Sequence, residues 1–592
     1  MKFNCQKSIF YIALIALYAL IFILIYGYTN FDIHYTDWCM LKHELTNSDD
    51  IAWNYLNFFA FLNDSVSIPF YQQGIYPFQG GAFYIDYAPI IMIPVKIFYK
   101  YILHYKGIID IQYVWYFGII SFILQGLLSF KIIKKLTDTN NINAILCSIF
   151  FVIAPPLLFK FPYQFTLCAH FLILLSFLPF IYSFSKKQLI LFYFFLSFFT
   201  CGIMVYFIPF IFVNLGAYVF YRYYKIEKNK LFSIIYILML FIGSIIPVLI
   251  FGGFTKDLNS SALGWGVFSA NLNTFINPVN VYGLFHSNLF PFLNNLKLYI
   301  INQNEGFAYL GGGFLLLLII SIFLTVKKCD SEWMLKFTKK YKLEIITYFA
   351  VFIILFMCAI TTTVTLSDNK IIDIPLSQDI LMLLSLFRSS GRFIWNSFYL
   401  IYFAVFVIFL KNITVKKASI ILFLCLFAQI YDIHDALLYM HGDYQTKKEY
   451  INPVDNNINW KKIVKNKKNI VISNFYPMDF INVTNWAIKN NFNINNLQLS
   501  RDLDYPLFYF NLFKKYENPQ KDDIYVFGFE DEGFIVQETK LKNCYEATSK
   551  YIACTLDEIE NLEKLKLNSN MRYKKGRAYS FYRTFLIESD IY

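Results

Sequence analysis

Charged residues make up only 16% of this 592-residue chain, against roughly 25% in soluble domains. With 57% hydrophobic residues and a mean hydropathy of +0.46, that scarcity excludes a soluble globular protein and reads as a membrane protein. Acidic residues are almost missing from the apolar runs and no internal repeat is visible. Both absences disfavour a transporter, which places ionisable groups at mid-membrane and is often built from inverted repeats. No cysteine and histidine spacing resembles a zinc site. No small-residue cleavage site follows the first apolar run, so 9–28 is expected to stay as a helix rather than leave as a signal peptide. The formal net charge of +12 does not indicate nucleic acid, because the basic residues of the N-terminal region form short clusters between apolar runs, as in cytoplasmic loops.

The charge that is present is uneven. Of the 160 residues from 433 onward, 43 are charged, against 49 of the 432 before them. Two bodies are therefore expected, a membrane module over residues 1–432 and a soluble α/β domain over residues 433–592. Apolar runs of the ~20 residues needed to cross a bilayer core fall at about 9–28, 112–130, 142–158, 170–184, 188–203, 204–221, 231–251, 308–326, 345–362, 393–411 and 417–432. These predict about eleven spans. The ambiguous run Ala88–Leu103 contains Pro89, Pro94, Lys96 and Lys100. If it lies in the interface, Lys131 with Lys134 and Lys135, Lys186–Lys187, Arg222–Lys230, Lys327–Lys328 and Lys411–Lys417 all face the cytoplasm, as the positive-inside rule asks. The outer side then carries the large first loop 29–111, a short loop around 159–169, the loops 252–307 and 363–392, and the C-terminal domain. In that exported domain Cys544 and Cys554 form either a disulfide across a turn or two unrelated thiols.

The polar chemistry gathers in these outer loops. Asp49 and Asp50 precede an aromatic amphipathic stretch, Trp53–Leu62, which reads as a flat helix roofing a cavity. Adjacent on a helix, the two carboxylates diverge by about 100°, so one can act as a base while the other caps the helix. Asp86 follows in the same loop. Loop 252–307 holds Asn271, Asn273, Asn277, His286 and Gln303-Asn304-Glu305-Gly306, for which turn chemistry is the plain reading. His170 stands at the outer end of the 170–184 run, either as a satisfied interfacial histidine or as a donor to a substrate oxygen. Arg388 and Arg392, four residues apart at a helix start, are predicted to share one face. They either grip a phosphate in fork geometry or snorkel to headgroups, and arginine on the outer side favours the ligand.

In Tyr84-Ile85-Asp86-Tyr87-Ala88-Pro89-Ile90, Val152-Ile153-Ala154-Pro155-Pro156-Leu157-Leu158, Glu305-Gly306-Phe307-Ala308-Tyr309-Leu310-Gly311, Phe387-Arg388-Ser389-Ser390-Gly391-Arg392-Phe393 and Gln429-Ile430-Tyr431-Asp432, the chain resembles an uncharacterised bacterial family built like the GT-C membrane glycosyltransferases. Aminoarabinose transferases, protein O-mannosyltransferases and oligosaccharyltransferase subunits share that plan. The likeness runs through most of the membrane module and is weak over 440–592. It implies a glycosyltransferase in the bacterial cytoplasmic membrane. The donor would be a polyprenyl-phosphate-linked sugar delivered among membrane lipids, and the acceptor a glycan, lipid or protein. Asp49 or Asp50 would be the base and Arg388 or Arg392 the phosphate partner. Asp86 and Glu305 would orient the sugar or hold a divalent cation, although no metal or other cofactor is required. A transporter or lipid flippase, or a non-catalytic scaffold, is the alternative.

Overall fold

The computed structural model describes residues 5–41, 50–72, 80–254, 265–279, 283–328, 342–473, 480–495 and 512–567. The chain is a membrane-embedded, mostly helical protein with a small sheet near its C-terminus. Each of the eleven apolar runs coincides with helix. Among the described residues, however, eight helices are long and apolar enough to cross a membrane, or nine if Val415–Asp432 and His434–Tyr444, bent by 61° at Ile433, count as one. Two further apolar helices, Phe165–Ile181 and Gly312–Lys327, fall short of that length. The run at 170–184 belongs to Phe165–Ile181, which breaks into three short turns with Pro179 opening the last. The run at 308–326 becomes helical only at Gly312, because Tyr309–Gly311 are tied to a neighbouring helix. The stretch 88–103 forms Pro89–Ile97 and a short π-turn, below spanning length.

We label the elements that position the site. Cys5–Tyr26 is α1, Asp50–Asn63 is α2 and Val114–Thr137 is α3. Asn141–Val152 is α4, and Pro155–Lys160, restarted by Pro155 in the first turn, is α5. Gly312–Lys328 is α6, Lys342–Ile360 is α7, Ile394–Asn412 is α8, Val415–Asp432 is α9 and His434–Tyr444 is α10. The basic clusters meet at one end of the bundle. Tyr182 OH donates to Lys131 O at 3.3 Å, Asn143 Nδ2 at the start of α4 donates to Val415 O at 3.2 Å, and Lys186 Nζ lies 3.1 Å from Glu227. Lys411 closes α8. The opposite ends of α4–α5 and α8 carry Lys160 and Arg392.

Asp432, the last residue of α9, fixes how α6 begins. It is fully buried and accepts from Tyr309 OH at 2.8 Å, Gly312 N at 2.7 Å, Leu289 N at 3.2 Å and the Ser287 hydroxyl. Gln429, one turn earlier, accepts from Phe314 N at 3.0 Å. Gly311 adopts φ +87°, and a Cβ on Gly313 would meet the Cys425 carbonyl oxygen at 2.0 Å, so glycine is what lets the two backbones close. Two of the sequence motifs are thus one contact.

The C-terminal domain is a mixed five-stranded sheet. Asn469–Ile472 (β1), Asn493–Ile494 (β2), Asp523–Gly528 (β3), Asn543–Glu546 (β4) and Tyr551–Thr555 (β5) are ordered β2-β1-β3-β5-β4. β1 runs parallel to β2 and β3, while β5 pairs antiparallel with β3 and β4. Cys544 and Cys554 stand directly opposite in the β4–β5 register and are joined as a disulfide. Helix Ile481–Lys489 (α11) packs on α2. The surface helix expected over 53–62 is therefore buried on nearly every face, from Ile51 to Leu62 except Asn54. Its second cover comes from far along the chain.

If Asp432 holds α6 to α9, Asp432→Ala strands several buried donors. It should lower stability by at least ~1.5–3 kcal/mol, the worth of hydrogen bonds to a charged group. Thermal unfolding of the purified protein checks this, and an unchanged melting temperature would refute it.

Candidate functional site

The site begins with a lysine in an unusual place. Ala154 is extended and Pro155–Lys160 winds one short helix beyond it, so the chain ends α5 with a lysine between two aromatic residues. Lys160 is 3% exposed. Its Nζ lies 2.9 Å from Glu305 Oε2 and donates to Gln164 Oε1 at 3.0 Å. Arg392 is 6% exposed, and its Nε reaches the same Glu305 Oε2 at 2.7 Å. One carboxylate thus bridges two buried cations. Gln164 Nε2 extends the network to Asp50 Oδ2 at 3.4 Å, and the Arg392 guanidinium stacks over Tyr206 at 4.4 Å and feels the charge of Asp86.

Backbone packing sets this geometry. Glu305 sits in the 3₁₀ turn Ile301–Gly306 and Arg392 in Ser390–Phe393. Gly391 N donates to Phe268 O at 2.7 Å, and a Cβ on Gly391 would come within 2.8 Å of Gly306 N. The two turns approach so closely because Gly391 has no side chain, while the bare Gly306 makes room for Ala270, where a Cβ would meet Ala270 Cα at 2.5 Å. The loop behind them is held by buried amides. Asn271 Nδ2 donates to Gln303 Oε1 at 3.1 Å, and Gln303 Nε2 donates to Thr365 Oγ1 at 2.7 Å on the hairpin that follows α7. Asn273 and Asn277 both donate to Lys297 O. The turn reading of these asparagines therefore describes them well.

Burial alone would raise the Glu305 carboxyl, but the adjacent Arg392 and Lys160 outweigh it and hold it well below the ordinary carboxylate range. The group stays ionised because a neutral Glu305 would leave two cations facing each other out of water.

Of the residues singled out in the sequence, Asp50, Asp86, Glu305 and Arg392 come together. Asp49 lies outside the described residues. Asp50 opens α2, and the negative charge in its first turn suits the helix dipole. Arg388 and Arg392 do not share a helix face. Ser389 leaves helical geometry (φ −86°, ψ 61°) and the Gly391 contact turns the backbone, so Arg392 points inward while Arg388 stays half-buried, 6.0 Å from the Phe268 ring. His170 is fully buried, with Nδ1 2.7 Å from Tyr399 OH and its ring 4.6 Å from Trp395. It supports the wall behind Lys160. Among the described residues no group of three or more His, Cys, Asp or Glu side chains is placed to hold a metal ion. Sequence reasoning missed Lys160, Gln164 and Tyr206. The available signal was a lone lysine closing an apolar run, since an ionisable group at membrane depth marks a functional site by default.

A separate cavity of about 510 Å³ is lined by residues including Asn30, Tyr35, Trp38, Asp443, Tyr444 and Lys448. Tyr163, the neighbour of Gln164, shares a hydrogen bond with Tyr444 in its wall. Through Tyr163 the segment that carries Lys160 and Gln164 thus reaches a residue of the cavity wall.

Residues 15–434 match a family described as a domain of unknown function, DUF6311. The match covers most of the chain, which belongs to that family. No curated protein matches the chain.

Removing the shared carboxylate tests the cluster. Glu305→Gln should cost about 3–5 kcal/mol at neutral pH by leaving two buried cations without their counter-charge. Because the folded-state value is lowered, the stabilisation is fully present above the ordinary value of 4.5 and is lost as pH falls below it. The difference in melting temperature between parent and Glu305→Gln should thus be wide at pH 7 and narrow progressively below pH ~4.5. A gap that is constant with pH would refute the assignment.

Proposed function

We propose that this chain is a glycosyltransferase of the GT-C kind, moving a sugar from a polyprenyl-phosphate donor to an acceptor hydroxyl at the outer face of a bacterial cytoplasmic membrane. The observation that carries the reading is the meeting of Asp50, Lys160, Glu305 and Arg392 at the ends of helices whose other ends hold the basic clusters. Basic ends face the cytoplasm by the positive-inside rule, which puts the site and the sheet domain outside. The Cys544–Cys554 disulfide supports the same side, since such bonds persist in oxidising compartments.

In the step proposed, the acceptor oxygen bonds to the anomeric carbon as the bond from that carbon to the phosphate oxygen breaks. The electron pair leaves with the polyprenyl phosphate. Asp50 takes the proton of the acceptor hydroxyl; Asp49, its neighbour, is the alternative base. Lys160 and Arg392, which share the Glu305 carboxylate, are the cations of the cluster that would stabilise the departing anion. Arg388 is half-buried and offers its fork to the phosphate. Arg392 and Glu305 are positioning residues, since each is held by the other. Asp86 orients the sugar. A divalent cation is not needed to balance the step. The cavity with Trp38 and Tyr35 beside Asp443 and Asn30 combines the apolar faces and polar groups that a sugar acceptor asks for.

Purified protein in vesicles with a labelled polyprenyl-phosphate sugar tests the reading. Release of the sugar from its lipid should fall ~10²–10⁴-fold in Asp50→Asn, the usual contribution of a general base. Unchanged release in Asp50→Asn would remove it as the base. Donor binding should weaken in Arg388→Lys, which keeps the charge but loses the fork, and weaken further in Arg388→Ala. Equal affinity in all three proteins would remove Arg388 from the phosphate site. Passage of intact donor across the bilayer with no sugar released would favour a flippase.

A further inference from the structure

At the basic end of the bundle, one cluster differs from its neighbours. Lys186 and Arg222 share Glu227 at 3.1 and 2.9 Å, and Lys225 pairs with Glu344. Lys131, Lys134 and Lys135, in the last two turns of α3, form no ion pair among the described residues. Lys134 Nζ donates to the neutral Asn141 Oδ1 at 2.6 Å, and Lys131 Nζ lies 5.3 Å from the Tyr11 ring. The three lysines surround a separate cavity of about 290 Å³, closed by Tyr11 of α1 and by Phe130, Asp138 and Tyr182. Asp138 is the one acid in the lining, so its net formal charge is +2.

The depth of this cavity says what fills it. It lies between the first turns of one membrane-crossing helix and the last turns of another, where phospholipid phosphates sit, and two tyrosines flank it as interfacial aromatics do. Lys7 precedes Tyr11 by one helical turn and shares its face. Ile15, one turn deeper, is 41% exposed, leaving apolar surface below the lysines for an acyl chain. Lysine binds phosphate as a point charge and needs no fork.

We infer that the cavity formed by Tyr11, Lys131, Lys134, Lys135 and Tyr182 binds the phosphodiester headgroup of an anionic phospholipid in the leaflet at the basic end. The site is independent of the transfer reaction proposed above. Basic pockets between membrane helices recognise such headgroups by charge, with each lysine contributing about fivefold in affinity.

The test is native mass spectrometry of the full chain taken from vesicles of phosphatidylglycerol and phosphatidylcholine. The parent should retain one phosphatidylglycerol that the combined Lys131→Gln, Lys134→Gln and Lys135→Gln variant binds about a hundredfold more weakly. The variant Lys416→Gln with Lys417→Gln, altered at the same end but outside the cavity, should retain it. If the triple variant fails to fold, each single variant should still lose about fivefold. Equal retention in all proteins overturns the proposal. So does displacement of phosphatidylglycerol by inorganic phosphate at equal concentration, which would make the cavity a free-anion site.

Discussion

Glu305 is the group on which the rest of the membrane module depends at its charged end. A single carboxylate oxygen meets Lys160 at 2.9 Å and Arg392 at 2.7 Å, with all three side chains largely withdrawn from water. Three segments distant in sequence are joined there: the end of α5, the turn 301–306 and the turn 390–393 before α8. Removing any one partner leaves a charge in a medium that cannot solvate it. The contact is specific because the backbone permits it. Gly391 lets its turn meet Gly306 at a distance that a methyl group would prevent, and the amides of Asn271 and Gln303 hold the loop that presents Glu305.

The sheet domain belongs to this arrangement rather than hanging from it. α11 covers α2, and α2 carries Asp50 at its first residue. The polypeptide between α10 and the sheet is pinned to the first loop, with Tyr35 OH donating to Lys448 O at 2.8 Å and Lys447 paired with Asp32 at 2.9 Å. Tyr35 and Lys448 also border the cavity whose wall includes Tyr444. A carboxylate that would act on an acceptor is thereby held on a helix packed from both sides, which is the rigidity that proton transfer at a fixed distance requires.

Much of this was legible from composition. A run of apolar residues near the thickness of a bilayer has few alternatives to helix, so the runs were found, and an acidic or basic residue in a loop stands out when only 16% of the chain is charged. Asp50, Asp86, Glu305 and Arg392 were visible for that reason. Helix length was less legible, because Pro179 and the backbone ties of Tyr309–Gly311 shorten two helices without changing their hydropathy. The pairing of Arg388 with Arg392 failed because spacing by four means one face only if the helix is continuous, and Ser389 interrupts it. The helix over 53–62 looked amphipathic because the element covering its second face lies more than 400 residues away. Cys544 and Cys554 were ambiguous until the β4–β5 register placed them opposite one another.

The ion cluster also bears on why the chain holds charge here at all. A buried ion pair is a poor device for stability, since well-packed apolar residues of the same volume usually do as well or better. Asp432 shows the structural alternative in the same molecule: a carboxylate whose oxygens are satisfied by neutral donors and which faces no cation among the described residues. Glu305 differs because one of its oxygens meets two cations. Asp50, reached through Gln164, and Asp86, whose charge acts on Arg392, add two further carboxylates around the same two cations. The network therefore joins four separated segments of the chain through charge rather than apolar packing, a makeup that a folding core alone does not call for.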